Sequence, residues 1–95
     1  MDNRISLYAA QYGRCAVTGN EHAIGEIHCH HKKPLKNGGT DRYANLVIVH
    51  VDVHKLIHAT APETIATYLE LIRPDKPTLE KINALREQTV NEKIL

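Results

Sequence analysis

The stretch IHCHHKKPLKNGGTDRYANLVIVHVDVHKLIH, residues 27–58, decides how the rest of the chain is read. Ile27 to His31 reads as a strand, and Pro34 stops it. Lys36-Asn37-Gly38-Gly39-Thr40-Asp41 is a loop by composition. Leu46 to Val49 is a short, β-branched apolar run and reads as a second strand. Asp52 to Ala59 then predicts one or two turns of helix, with His54 and His58 one above the other on a single face. A strand sends His30 and His31 to opposite faces, so the two imidazoles cannot easily do the same job. His54 and His58, four apart on a helix, can both reach one ion. With a strand histidine they supply three imidazoles and leave coordination positions open, the pattern of a catalytic metal site rather than a closed structural one.

The combination carries more weight than its parts. Seven histidines in 95 residues, all between His22 and His58, give about 0.5 His-His pairs and about as many His-x-x-x-His pairs by chance. Taken alone, His54 and His58 are a helix surface with two imidazoles. In the order strand, Gly-Gly loop, strand, helix, they converge on one point.

Outward from this stretch the chain is plainer. Arg4 to Tyr12 reads as a short helix that Gly13 ends, and Cys15-Ala16-Val17-Thr18-Gly19 as a compact turn. Thr60-Ala61-Pro62-Glu63 has the form of a capping box with proline in the first turn, opening a helix whose apolar side is Ile65, Leu69 and Ile72. Pro74 and Pro77 punctuate a linker. A last helix buries Leu79, Ile82 and Leu85 and leaves Glu80, Lys81 and Glu87 in water. These two helices read as scaffold.

Composition excludes several classes. The 95 residues suffice for one domain with its own core. The longest unbroken apolar run is Leu46-Val47-Ile48-Val49, far short of a membrane helix. No Trp or Phe and only four Tyr argue against stacking platforms for single-stranded nucleic acid. A net charge of +1 is too small to coat nucleic acid by charge alone. Met1-Asp2-Asn3-Arg4 leads into no apolar signal region, and two cysteines make no disulfide scaffold, so a reducing, cytoplasmic compartment is expected.

The residues from Gly13 to His58 resemble the HNH endonucleases. The pattern is His30-His31, thirteen residues, Asn45, eight residues, His54, three residues, His58. Within that family, Cys15-Ala16-Val17-Thr18-Gly19, His30-His31-x-x-Pro34, Gly38-Gly39-Thr40-Asp41 and Val53-His54-Lys55-Leu56-Ile57-His58-Ala59 are similar to the C-terminal HNH domains of group II intron reverse transcriptase/maturase proteins. The resemblance implies an α+β fold with a ββα-metal (His-Me finger) core over residues 13–58, a short N-terminal helix and a two-helix extension over 60–95, all in a single domain. It implies a metal-dependent endonuclease that hydrolyses DNA phosphodiester bonds and nicks one strand of a duplex in intron mobility. His31 takes the general base role, since neutral imidazole titrates near working pH. His30, His54 and His58 hold one divalent ion, and Asn45 holds the His31 strand by hydrogen bonds across the loop. The ion is Mg²⁺ or Mn²⁺ in activity, although three imidazoles also suit Zn²⁺, Ni²⁺ or Co²⁺. Double-stranded DNA is the expected substrate, with intron RNA and a reverse transcriptase domain as partners.

His28 shares a strand face with His30 and is expected at the phosphate or behind a metal ligand. Lys32, Lys33, Lys36, Arg42 and Lys55 are candidates to track the DNA backbone; with Asp41 counted, residues 28–42 carry a net +3, a modest footprint. Many HNH domains hold a second, structural zinc on two Cys-x-x-Cys knuckles. The matching positions here are Cys15, Thr18, His50 and Val53. Thr18 and Val53 are not ordinary zinc ligands, so that knuckle is expected to be absent, with Cys15 and His50 as remnants. The competing reading is a non-catalytic, metal-stabilised DNA-binding module. A histidine-rich metal store fits poorly with so organised a chain.

Overall fold

The computed structural model describes residues 3–95; Met1 and Asp2, the start of the segment read as carrying no export signal, lie outside the described residues. Helix α1 (Asn3–Ala10) leads through a small hairpin to strand β1 (Ile27–His31), strand β2 (Leu46–His50) and helices α2 (Val51–His58), α3 (Pro62–Ile72) and α4 (Lys76–Gln88). The fold class is the expected one: α+β, with two antiparallel strands and a helix that brings histidines together, compatible with a ββα-metal core.

The strands pair in the register Ile27↔His50, His28↔Val49, Cys29↔Ile48, His30↔Val47 and His31↔Leu46. Period-two alternation divides them into two faces. Ile27, Leu46 and Ile48 pack with Leu7 of α1. Val47 and Val49 pack with Val53, Leu56 and Ile57 of α2 and with Ile82 of α4. The unbroken apolar run in β2 therefore reflects burial on both faces, and β1 presents His28 and His30 to α2.

Two strands alone make a marginal sheet. The outer edge of β2 is closed by Gln11, whose side-chain oxygen accepts from Ile48 N–H at 3.0 Å while its amide donates to the Ile48 carbonyl at 3.1 Å. Ala16 N–H donates to the same carbonyl at 3.0 Å. A side chain and a loop thus take the place of a third strand at an otherwise unpaired edge.

Several boundaries differ from the sequence reading: β2 runs on to His50, α2 spans Val51–His58, and three further differences have a local cause. Helix α1 stops at Ala10 rather than Tyr12, because Tyr12 N–H returns to the Ala9 carbonyl and Gly13 N–H to the Tyr8 carbonyl with Tyr12 in the left-handed region (φ 56°). Those paired bonds are a Schellman closure. The capping box at Thr60 does not form: Ala61 is the cap residue, without a side-chain bond, and Glu63 falls one position too early in the turn. Pro77 lies in the first turn of α4 and not in a linker, with Asp75 accepting the Thr78 N–H at 2.9 Å. Proline is tolerated there since its missing N–H has no intrahelical partner anyway. Among the described residues no helix is long and apolar enough to cross a membrane.

Candidate metal centre

Helix α2 follows β2 without a loop. The His50 ring Nδ1 accepts the Asp52 N–H at 3.2 Å and so caps the helix start. This abrupt junction folds α2 back over the sheet and aims His54 and His58 at His30. One nitrogen from each of His30, His54 and His58 lies within 4.8 Å of the others. Ring centroids are 5.2 Å apart for His30–His54 and His30–His58, and 4.8 Å for His54–His58. The two Nε2 atoms of His54 and His58 are 3.2 Å apart, close to the ~3.4 Å between nitrogens bound tetrahedrally to one ion at about 2.1 Å.

His30 is the informative member. It is 0% exposed, and neither of its ring nitrogens has a hydrogen-bond partner among the described residues. An unsatisfied buried polar group costs about 1–3 kcal/mol, and a cation ligated at one nitrogen offsets that cost. Burial first, then the neighbouring His54 and His58 charges, push the His30 imidazole down to about 3. Burial, with His58 and His28 behind it, pushes His54 down to about 4. Burial and the nearby cations of Lys36 and Arg86 lower His58 as well. At neutral pH all three are uncharged with lone pairs available, the state a divalent cation requires. The residues present fit such an ion.

His28 is exposed and meets His54, Nδ1 to Nδ1, at 2.9 Å. One ring donates and the other accepts, which leaves the His54 Nε2 turned toward His58. His28 therefore stands behind a candidate ligand, in the place where a partner orients it.

His31 takes the opposite face of β1, and its Nε2 lies 2.7 Å from Asp41 Oδ1. It nonetheless lines a cavity of about 230 Å³ with Cys29, Pro34, Leu35, His54 and His58. Asn45 closes the loop between the strands: its Oδ1 accepts the Lys33 N–H at 2.9 Å, and its Nδ2 donates to the carbonyls of Lys33 at 3.0 Å and Thr40 at 2.8 Å. Its own carbonyl accepts the Lys32 N–H at 2.8 Å. The same loop needs glycine at position 39, where a Cβ would sit 1.8 Å from the Lys33 carbonyl oxygen. That close approach brings Asp41 back to His31.

The basic residues divide. Lys33, Lys36 and Arg42 are exposed around the loop. Lys32 is half-buried and donates to the Ala44 carbonyl at 3.2 Å, and the Lys55 ammonium stands 5.7 Å from the centre of the Tyr68 ring. The positions compared with a zinc knuckle are used otherwise: Cys15 and Val53 are core residues at 1% exposure, and Thr18 Oγ1 accepts the Asn20 N–H at 3.3 Å. Cys29 is half-buried against the Leu7 cluster, and the two cysteines form no disulfide.

Two residues escape the sequence reasoning. Asp41 figures there only as a charge to subtract, and Arg86 stands on a helix read as scaffold. The Arg86 guanidinium is 3% exposed and forms no salt bridge among the described residues; Nη1 donates to the carbonyls of Leu56 at 2.6 Å and Ala59 at 2.8 Å, and Nε to that of Glu92 at 2.7 Å. Asn91 adds a bond to the Ile57 carbonyl at 2.9 Å. The orphan carbonyls at the end of α2 are thus satisfied by a buried cation, which also suits the negative end of the helix. A signal exists in the sequence: Arg86 falls on the Leu79, Ile82, Thr89 stripe, where a solvated arginine has no place.

Residues 13–60 match the family model described as HNH endonuclease. No curated protein and no solved structure matches the chain.

Proposed function

The chain belongs to the HNH endonuclease family, and from that premise we propose that it is a metal-dependent DNA endonuclease that nicks one strand of a duplex. The observation that carries this reading is the shared cavity: His31 lines it together with His54 and His58, two of the three neutral imidazoles converging on one point. His30, His54 and His58 would hold the divalent cation. When bound, that cation supplies charge neutralisation at the scissile phosphate and at the departing 3′ oxygen. Mg²⁺ or Mn²⁺ serves in activity, and the all-nitrogen donor set also accepts Zn²⁺ or Ni²⁺.

His31 is the general base. With Asp41 accepting from Nε2–H at 2.7 Å, Nδ1 carries the lone pair that removes a proton from the attacking water. Asp41 orients this ring and stabilises its charged form once the proton has moved. Asn45 acts at one remove, keeping the end of β1 and the Gly38-Gly39 loop in register. Lys33, Lys36 and Arg42 neutralise backbone phosphates from the exposed loop, with Lys32, Lys55 and His28 closer to the protein side of that surface. We read residues 1–95 as one unit, with residues 60–95 bracing the 13–58 core. The resemblance of these motifs to those of group II intron maturases supports a role in intron mobility, in which the nick would expose a 3′ end for a reverse transcriptase and the intron RNA would supply target recognition.

Supercoiled-plasmid nicking with Mg²⁺, Mn²⁺, Ni²⁺ or EDTA tests the reading. Metal-dependent nicking that His31→Ala lowers by about 10²-fold or more, with duplex binding retained, is the expected result. Duplex binding without cleavage under every metal would sink it in favour of the non-catalytic binding module.

A further inference from the structure

We propose that His22, Glu26 and His50 form a second divalent-cation site, on the face of the sheet opposite to His30. One donor atom from each of the three lies within 4.8 Å of the others, and the His22 and His50 rings are 4.3 Å apart at their centroids. The three come from two stretches of chain, His22 and Glu26 four residues apart just before β1 and His50 at the end of β2, and hydrogen bonds hold the backbone of His22 and one oxygen of Glu26 before any ion arrives. The backbone of His22 is pinned at both ends: its N–H donates to the Gly13 carbonyl at 2.9 Å, and its carbonyl accepts the Tyr8 hydroxyl at 2.7 Å. Glu26 ends a helical turn, and its Oε1 accepts the Ala23 N–H at 3.0 Å, which leaves the second oxygen for a ligand. His50 stands opposite Ile27 at the end of β2.

The His50 ring shows how it would donate. Nδ1 receives the Asp52 N–H, and the Asp52 carboxylate lies 3.7 Å from the same nitrogen. In the capped ring Nε2 carries the proton; a cation taken at Nε2 would shift that proton to Nδ1, which would exchange the bond from the Asp52 N–H for one donated to the Asp52 carboxylate 3.7 Å away. A carboxylate behind a ligating imidazole is the usual arrangement. His22 and His50 are half-buried and Glu26 is exposed, so the ion has a path in. Two imidazoles and a carboxylate select a first-row transition ion, Zn²⁺ above all, over Mg²⁺ or Ca²⁺. The site shares only His50 with the Cys15, Thr18, His50, Val53 positions and needs no thiolate. An ion held there ties the N-terminal hairpin to the start of β1 and to the cap of α2.

The test is zinc stoichiometry on the full chain, freed of metal and titrated with Zn²⁺. Two zinc ions per chain are expected for the wild type and one for His54→Gln/His58→Gln. Adding Glu26→Gln to that double variant should weaken the remaining ion by about 10-fold or more and abolish the rise in Tm that zinc produces. The carboxamide oxygen introduced by Glu26→Gln can still accept the Ala23 N–H, so folding is not at stake. Should the double variant fail to fold, Glu26→Gln alone against wild type gives one ion against two. A zinc count and affinity that Glu26→Gln leaves unchanged, in the wild type and in the double variant alike, overturns the proposal. Neither readout depends on cleavage, so failure of the nuclease reading and failure of this site are separable.

Discussion

His30 concentrates the physics of the site in one side chain. A fully buried imidazole with two unpartnered nitrogens is tolerable only when neutral, which is why burial drives its ionisation down to about 3. The consequence for stability has a definite sign. In the unfolded chain the group titrates at 6.5, so on acidification the unfolded state takes up protons first. The metal-free protein keeps this stability above pH 6.5 and loses it as pH falls through about 4 for His54 toward about 3 for His30. Thermal midpoints of the EDTA-treated chain should fall steadily from pH 6.5 to 4, and His30→Leu should flatten that slope; an unchanged slope would contradict the assignment. His30 is legible as a candidate from its neighbours, and its burial is not. Asp41, beside His31, is legible only as a charge, since a contact across ten residues of loop depends on how Gly38-Gly39 turn.

At the scale of elements, α2 is the part that has to be held still. Eight residues are fewer than an isolated helix needs to persist in water. It survives through its ends: the His50 ring caps the start, and Arg86 with Asn91 satisfies the finish. Replacing Arg86 with Met leaves the Ala59 carbonyl without its donor and the Leu56 carbonyl with only the Ala59 N–H at 3.4 Å, so unfolding by urea should show a loss of about 3 kcal/mol. The cation affinity of the His30, His54, His58 group should fall with it, because the last turn of α2 carries His58. An Arg86→Met chain as stable as wild type would show that the tail braces nothing. The helix itself is legible from its spacing, to within a residue at each end. Its brace comes from about thirty residues away, and only the position of Arg86 on an apolar stripe hints at it.

The whole molecule is a two-stranded sheet clasped between α1 on one side and α2 with α4 on the other. So slight a sheet gains much from any ligand that binds only the folded form. At a free cation level about 100 times Kd the gain is about 2.7 kcal/mol, which for a domain of this size raises Tm by roughly 10–20 °C. Differential scanning calorimetry with Ni²⁺ or Zn²⁺ against EDTA should show that rise, and His54→Gln/His58→Gln should lose the share of it that an ion on His30, His54 and His58 supplies. By itself the sequence determined the order of elements, both strands, and the face shared by His54 and His58, because those follow from local periodicity, turn residues and β-branched runs. Only the tertiary structure decided that His30 is buried and His31 is paired with Asp41. It also joined Arg86 to α2 and brought His22, Glu26 and His50 together. Each of these depends on strand register and on how separate elements dock, and a slip of one residue in β1 would exchange the faces of His30 and His31 while leaving every local pattern intact.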